Sequence, residues 1–237
     1  MNVKGSVVFV TGANRGLGLA FARIAQAQGA AKVYAGMRNT AGFDVPGIIP
    51  VQMDVTDQAS IDAAAALCAD TTLLINNAGI ATLMNGPLDQ NMIELSEHLM
   101  NTNFYGVIRV SQAFAPVLQS NGGGAIINVL SDVTWFSVPM LAAYAATKSA
   151  TWSFTNALRL QLRPDNVAVL GLHVGFIDTD LTQGFDVPKS SPQAVVEATF
   201  SALEAGKEEV LADEGTRAIK STLSSDEAMY FNPPVAG

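Results

Sequence analysis

The sequence predicts an α/β fold: a doubly wound parallel sheet of about seven strands with helices on both faces. Short runs that are continuously apolar recur along the chain, and such runs are typical of strands covered on both faces. Longer segments with helical periodicity separate them, and this alternation indicates parallel strands joined by right-handed crossovers. A glycine-rich turn follows the first apolar run, at the kind of position where such sheets bind ligands.

The predicted elements follow one another without a break. The predicted strands cover residues 6–11, 32–36, 49–53, 72–76, 125–130, 167–173 and 209–212. The predicted helices cover residues 16–28, 58–69, 91–118, 141–162 and 192–205, with a weaker one at 216–223. No linker, repeat or low-complexity tract separates these elements. We therefore expect one domain over residues 1–237, with an irregular tail at 229–237.

Composition argues against several classes of function. The 237 residues carry a formal net charge of −8, which argues against nucleic acid or an anionic membrane surface as a partner. Cys68 is the only cysteine, so we expect neither an internal disulfide nor a metal site. The first apolar run is too short for a signal segment, and no stretch approaches the length of a membrane span. We therefore expect a cytoplasmic protein.

The glycine-rich turn has the sequence TGANRGLG at residues 11–18, between the first predicted strand and the first predicted helix. Glycine permits the positive φ of a tight turn, and the helix that follows presents free N–H groups to a phosphate. Three glycines alone can simply make a turn, but this placement favours a Rossmann-type dinucleotide site. The residues expected to hold the pyrophosphate are Gly12, Asn14, Arg15, Gly16, Leu17 and Gly18.

The residues after the second strand predict which dinucleotide binds. A site selective for NAD places an acidic residue there to bind the adenosine 2′-hydroxyl. Here no acid occurs before Asp44, and Arg38 stands at that position, with Arg15 in the glycine-rich turn. Two guanidinium groups suit a 2′-phosphate, because each can donate two parallel hydrogen bonds to it. NADP(H) is therefore favoured as the cofactor, with NAD(H) as the alternative.

Tyr144 and Lys148 are the pair expected to carry the proton chemistry. Their i, i+4 spacing on a predicted helix places both side chains on one face. A phenol is a poor acid or base at neutral pH, and a nearby ammonium group favours its ionised form. Ser131 follows an apolar strand 13 residues before Tyr144, where its hydroxyl can hydrogen-bond a substrate carbonyl. Each feature alone also fits an ordinary helix face or turn.

Together and in this order, the motifs resemble those of the short-chain dehydrogenase/reductase family. The resemblance covers about residues 6–181 and is carried by TGANRGLG at 11–18, Asp54, NNAG at 76–79, Asn103, Ser131, Tyr144 and Lys148. It implies that Tyr144 is the general acid in reduction and the general base in oxidation, and that Ser131 orients the substrate carbonyl. It also implies that Lys148 binds the nicotinamide ribose and lowers the pKa of Tyr144, and that Asn103 supports a proton-relay water near Lys148.

The resemblance also implies cofactor contacts outside the glycine-rich turn. They are Asp54 and Val55 at the adenine, Asn77, Ala78 and Gly79 along the cofactor, and Gly175, Ile177 and Thr179 near the nicotinamide. Two positions depart from the family's pattern. Val174 stands where a proline is usual, and Leu130 stands where a serine is common. Neither change removes a catalytic group.

Candidate substrate contacts lie after the fifth and sixth strands. They are Trp135, Phe136, Val138, Phe176, Leu181 and Phe185. Such walls favour a small apolar or aromatic carbonyl compound, and no cluster of Arg or Lys is present to hold a substrate carboxylate or phosphate. The segment 180–191, where the family usually has its substrate lid, is short.

Together, these features predict an oxidoreductase that reduces a ketone or aldehyde with NADPH, with Tyr144 as general acid. The alternatives are an NAD-dependent secondary-alcohol dehydrogenase of the same fold and a non-catalytic protein that senses the dinucleotide. The carboxyl-terminal stretch lacks the finish with which many members of the family pack as tetramers. We therefore expect a homodimer, through the helices that begin near residues 91 and 141, or a monomer.

Overall fold

The centre of the fold is a seven-stranded sheet. The computed structural model describes residues 1–233. Its strands are β1 (Val7–Thr11), β2 (Lys32–Met37), β3 (Ile49–Gln52), β4 (Leu73–Asn76), β5 (Gly124–Val129), β6 (Val167–His173) and β7 (Glu209–Leu211). They lie in the order β3-β2-β1-β4-β5-β6-β7, and every neighbouring pair is parallel. The predicted fold class is confirmed, and no strand boundary differs from the predicted one by more than one residue.

Helices cover both faces of the sheet. They are α1 (Gly16–Ala27), α2 (Gln58–Leu67), α3 (Met92–Met100), α4 (Gly106–Ser120), α5 (Ala142–Leu162), α6 (Pro192–Glu204) and α7 (Glu214–Ser221). On one face α1 packs on α6, with the rings of Phe21 and Phe200 edge to face at 5.6 Å. On the other face α2, α4 and α5 bury a cluster that includes Phe9, Ile61 and Phe114. The inner strands are apolar without alternation because both of their faces are buried.

The edge strand β3 departs from this pattern. Of its four residues only Val51 is buried, so it is not covered on both faces as its apolar run predicted. Pro50 cannot donate a hydrogen bond to a neighbouring strand. It is tolerated in β3 because this strand pairs on one side only.

One predicted helix is interrupted in the structure. The periodicity predicts a single helix over 91–118, whereas the structure has α3 and α4 joined by a π-helical turn at Asn101–Tyr105. A π turn adds one residue, which rotates the side chains that follow by about 100°. The turn is stabilised from outside by α5: Asn103 Nδ2 donates to Thr147 Oγ1 at 3.2 Å, and Thr151 Oγ1 lies 3.1 Å from the carbonyl oxygen of Asn103.

The last helix also begins earlier than predicted. Asp213 caps α7, since its carboxylate accepts from the backbone N–H of Thr216 at 2.8 Å. Residues 229–233 form neither helix nor strand, and residues 234–237 of the predicted tail lie outside the described residues. Among the helices that the structure describes, none has the length and apolar character needed to span a bilayer.

The strand order reverses between β1 and β4. From β1 the chain builds toward one edge through β2 and β3, and from β4 it builds toward the other through β5, β6 and β7. The loops that leave β1 and β4 therefore diverge at their carboxyl ends and leave a crevice between them. This crevice is where the predicted site residues meet.

Candidate active site

A cleft of about 720 Å³ opens at the carboxyl ends of the strands. Every residue predicted to contact the cofactor lines it, from the glycine-rich turn after β1 to the loop after β6. Ser131, Tyr144 and Lys148 line the same cleft, whereas Asn103 lies behind its wall. The structure therefore brings the predicted cofactor residues together with three of the four predicted catalytic residues.

The glycine-rich turn is shaped by positions that exclude a side chain. Gly12 and Gly16 have left-handed φ values of 65° and 55°, which glycine adopts without strain. A Cβ on Gly18 would lie 2.3 Å from the carbonyl oxygen of Gly12. Within the described residues 1–233, the side chain of the N-cap residue Arg15 makes no capping hydrogen bond to α1. The free amides and open backbone suit a pyrophosphate.

A threonine hydroxyl ties this turn to the loop after β4. Thr11 Oγ1 accepts from the backbone N–H of Asn77 at 3.0 Å and of Ala78 at 2.9 Å. In return, Asn77 Nδ2 donates to the carbonyl oxygens of Thr11 at 2.9 Å and of Gly12 at 3.2 Å. Two loops far apart in sequence thus hold each other in place. A threonine at a strand end is common, so the motif that contains Thr11 did not predict this role for its hydroxyl.

The two arginines predicted to bind a 2′-phosphate have different surroundings. Arg38 is exposed and lines the cleft. Arg15 instead pairs with Asp180, with Nη1 3.0 Å from Oδ2. Asp54, predicted at the adenine, accepts hydrogen bonds from the backbone N–H and the hydroxyl of Thr56. Burial opposes the charge of Asp54, but these bonds and the Arg38 charge hold the pKa of that carboxyl below its ordinary value.

Tyr144 and Lys148 lie one turn apart at the start of α5. Lys148 Nζ lies 5.6 Å from the centre of the Tyr144 ring and donates to the carbonyl oxygen of Val129 at 2.9 Å. Burial lowers the pKa of Lys148 to about 8, because the ammonium loses its hydration. Burial raises the pKa of Tyr144, and the negative charge of Asp132 adds to this, against a hydrogen bond with Ser131. Tyr144 therefore holds its proton at neutral pH.

Ser131 follows β5, and its hydroxyl is engaged by the next residue. Ser131 Oγ donates to Asp132 Oδ1 at 2.9 Å, and that oxygen also accepts from the backbone N–H of Val133 at 2.8 Å. Asp132 lines the cleft as well. An aspartate in a turn is ordinary, so the sequence alone did not mark Asp132 as a site residue. Its position directly after Ser131 was the available signal.

Asn103 is only 1% exposed and supports the site from behind. Its Oδ1 accepts from the backbone N–H of Ile80 at 2.9 Å, and its Nδ2 donates to the carbonyl oxygen of Ile80 at 2.8 Å. Nδ2 also donates to Thr147 Oγ1 at 3.2 Å, which links this segment to α5. The side chain therefore fixes the chain just beyond Gly79. The relay-water role that the resemblance implies stays a prediction.

Three of the six predicted substrate contacts line the cleft. Phe176, Leu181 and Phe185 do so, on the segment that follows β6. The rings of Phe176 and Phe185 contact each other, with centres 5.3 Å apart. Leu181 is 53% exposed, so this wall is open to solvent on one side.

Trp135, Phe136 and Val138 do not line the cleft, and the prediction is corrected for them. The 3₁₀ turn Asp132–Thr134 directs Trp135 inward, where its ring stacks on His173 with centres 4.1 Å apart. Hydropathy alone could not reveal this direction. Unassigned side chains that line the cleft include Ile80, Leu83, His98 and Leu141.

Comparison with known proteins places this geometry among related chains. A family model described as short chain dehydrogenase matches residues 6–189. The crystal structure of a short chain dehydrogenase from Burkholderia cenocepacia J2315 in complex with NADP superposes with a TM-score of 0.90. It is 36% identical, and the match covers 95% of each chain.

Curated relatives are similar over most of the chain. A gluconate 5-dehydrogenase of Gluconobacter oxydans is 34% identical over 195 residues, which is 77% of this chain and 75% of the relative. Dehydrogenase/reductase SDR family member 7B of Bos taurus is 29% identical over 216 residues, or 83% of this chain. The chain spans 60% to 66% of the length of that protein and its mouse and rat counterparts.

Proposed function

Because the chain belongs to the short-chain dehydrogenase/reductase family, we propose that it is an oxidoreductase that reduces a ketone or aldehyde to an alcohol with NADPH. One observation carries the proposal. Ser131, Tyr144 and Lys148 share a cleft with the glycine-rich turn. A proton donor and a carbonyl-binding hydroxyl thus adjoin a dinucleotide cradle, which is what the transfer of a hydride and a proton to a carbonyl requires.

The cofactor part of the proposal is supported by the shape of the turn. A side chain at Gly18 would collide with the Gly12 carbonyl, so the turn leaves its backbone open to a pyrophosphate. Arg38 would bind the 2′-phosphate, since its guanidinium is exposed beside the cleft. The related Burkholderia structure contains NADP. When bound, the reduced nicotinamide supplies the hydride.

The protein supplies the proton and the orientation. Tyr144 is the general acid, and its raised pKa keeps its proton in place until negative charge develops on the carbonyl oxygen. Ser131 orients that oxygen by a hydrogen bond. Lys148 is held by the carbonyl oxygen of Val129. In its charged form, Lys148 favours the Tyr144 phenolate that remains after proton transfer.

The substrate is proposed to be a small apolar or aromatic carbonyl compound. Phe176, Leu181 and Phe185 form one wall of the cleft, and Leu83 and Leu141 also line it. Such walls bind apolar groups, and Ser131 and Tyr144 provide the polar contacts that orient the reacting carbonyl.

One observation favours the second candidate, an NAD-dependent secondary-alcohol dehydrogenase. Arg15 already pairs with Asp180 at 3.0 Å, which reduces its availability for a 2′-phosphate. Initial rates with NADPH and NADH on one ketone separate the two candidates. We expect a clear preference for NADPH, and equal or faster turnover with NADH would overturn the assignment of the cofactor.

The decisive variant is Tyr144→Phe, which removes the proton donor and keeps the ring. Ketones and aldehydes are screened with the wild-type protein by loss of NADPH absorbance, and the best substrate is then used for both proteins. We expect the variant to lose at least about 100-fold in kcat, the lower range for general acid catalysis. Tyr230→Phe, on the exposed tail, is the matched control and should leave kcat unchanged.

Two results would contradict the proposal. A Tyr144→Phe variant as fast as wild type would refute the mechanism. Tight NADPH binding without turnover of any carbonyl or alcohol would instead favour the dinucleotide-sensing alternative.

For assembly we propose a homodimer through α4 and α5. Leu160 on α5 is 66% exposed, and Tyr105, directly before α4, is 48% exposed. Burying such side chains in an interface would stabilise the dimer. Light scattering at micromolar concentration checks this, and a Leu160→Glu variant should shift the mass toward the monomer.

A further inference from the structure

We propose that Asp132 is a positioning residue that controls the proton of the Ser131 hydroxyl, and so decides whether that hydroxyl can donate into the cleft. The inference rests on the proposed function, in which Ser131 orients the substrate carbonyl. It concerns a residue to which the resemblance and the comparisons give no role.

The Ser131 hydroxyl donates a hydrogen bond to the Asp132 carboxylate. A serine hydroxyl has one proton, and an ionised carboxylate can only accept. Ser131 Oγ lies 2.9 Å from Asp132 Oδ1, so an ionised Asp132 takes the single Ser131 proton. The hydroxyl then presents only lone pairs to the cleft. In that form it cannot donate to a carbonyl oxygen, which carries lone pairs itself.

A second carboxylate lies close to Asp132. A Cβ built on Gly175 would lie 3.1 Å from Asp132 Oδ2 and 3.8 Å from Asp213 Oδ2, so these two oxygens are less than about 7 Å apart. Asp213 accepts from the backbone N–H of Gly175 and from both the N–H and the hydroxyl of Thr216. The negative charge of Asp213 opposes a second negative charge on the nearby Asp132.

The Asp132 carboxyl gains or loses its proton near neutral pH because it is buried. Burial raises the pKa of Asp132 to about 6, and Asp213 adds to this against the hydrogen bonds from Ser131 and Val133. Asp132 lines the cleft, so its proton can exchange with solvent.

Several other titratable groups lie around this site. Asp213 precedes α7, and Lys220 on α7 lies 5.2 Å from the centre of the Trp135 ring. Tyr144 and Lys148 lie on α5, and His173, which ends β6, contacts Glu209 of β7. The Asp132 charge raises the pKa of Tyr144, so ionisation of Asp132 affects both residues that act on the carbonyl oxygen.

Protonation of Asp132 reverses this arrangement. The neutral carboxyl no longer demands the Ser131 proton, and the hydroxyl can rotate to donate to the carbonyl oxygen alongside Tyr144. Asp132 exchanges its proton with solvent only, and it forms no bond to the substrate. Carbonyl reduction should therefore speed up as pH falls through about 6.

The kinetic test compares the wild-type protein with Asp132→Asn, which keeps the shape and cannot ionise. The rate of ketone reduction is measured from pH 5 to pH 8 with saturating NADPH. We expect kcat of the wild type to rise roughly 10-fold as pH falls. Removal of a hydrogen-bond donor to the carbonyl oxygen typically costs about 100-fold or more in kcat, but Tyr144 donates at every pH in this range, so the effect should be smaller. Asp132→Asn should lack this step, and Asp62→Asn, an exposed residue on α2, should keep it. A structural role alone would leave the step in place.

A second measurement does not depend on turnover. The chain has four tyrosines, so ¹³Cζ labelling gives few resonances, and Tyr144→Phe identifies the relevant one. We expect the Tyr144 resonance of the wild type to show a step near pH 6 that Asp132→Asn lacks. A wild-type resonance without that step, or a step that persists in Asp132→Asn, would overturn the inference. A wild type that shows the step yet reduces no carbonyl would refute the proposed function and leave the coupling intact.

Discussion

Asn103 gives the sharpest prediction about stability, because its side chain satisfies both backbone groups of Ile80. Asn103→Ala would leave that N–H and that carbonyl without partners. An unpaired buried polar group costs about 1–3 kcal/mol. Ile80 is partly exposed, so water can reach it and the lower end applies. We therefore expect the free energy of unfolding to fall by about 2–3 kcal/mol for the two groups.

Thermal unfolding is a direct assay for this loss. At about 2–4 °C per kcal/mol for a chain of this size, Tm should drop by roughly 4–12 °C. Asn101→Ala, in the same π turn, is the matched control: the Asn101 side chain makes no hydrogen bond among residues 1–233, so Tm should change by less than about 2 °C. If both variants lose the same amount, Ile80 is not held by Asn103 and the reasoning is refuted.

Gly18→Ala should abolish NADPH binding in calorimetry, because its Cβ would lie 2.3 Å from the Gly12 carbonyl oxygen; retained affinity would contradict the tight-turn argument. Arg38→Ala should raise KM for NADPH by about 10- to 100-fold, because it removes a hydrogen bond between charged groups, and should leave KM for NADH unchanged. An equal rise for both cofactors would argue against a 2′-phosphate contact. Asp132 has a pKa of about 6 in the fold against an ordinary 3.8, so it stabilises the fold fully below about pH 4 and loses that contribution as pH rises through 6. Asp132→Asn should therefore unfold at a higher urea concentration than wild type at pH 7.5. Its free energy of unfolding should be higher by up to about 3 kcal/mol, a value that solvent screening reduces, and the difference should be small at pH 4.5. Burial raises the pKa of the Cys68 thiol to about 12, so a thiol reagent at pH 8 should label the protein only after unfolding.

The sequence predicted the sheet well for a physical reason. Strands buried on both faces, such as β4, are short continuous apolar runs, and this is the pattern that predicted them. The glycine-rich turn was predictable because its backbone requires glycine, and the i, i+4 spacing predicted that Tyr144 and Lys148 share one helix face.

Other parts of the site depend on contacts that spacing does not encode. The π turn at Asn101–Tyr105 contacts α5, a helix more than 35 residues further along the chain, and the periodicity of residues 91–118 does not encode that contact. The ring of Trp135 stacks on His173 at the end of β6, 38 positions further along the chain. The partnership of Asp132 with Asp213 joins residues more than 80 positions apart. Such contacts become visible only when the sheet brings distant loops to one edge.

The Thr11 hydroxyl has a consequence for how a dinucleotide would bind. Its bonds to the amides of Asn77 and Ala78 join two loops without any help from a ligand. Binding of a dinucleotide then costs little loop entropy, because both loops are already ordered. We therefore expect fast association that no slow closure of these loops limits. In hydrogen exchange, those two amides should be protected to nearly the same degree with and without NADPH, and Thr11→Val should expose both.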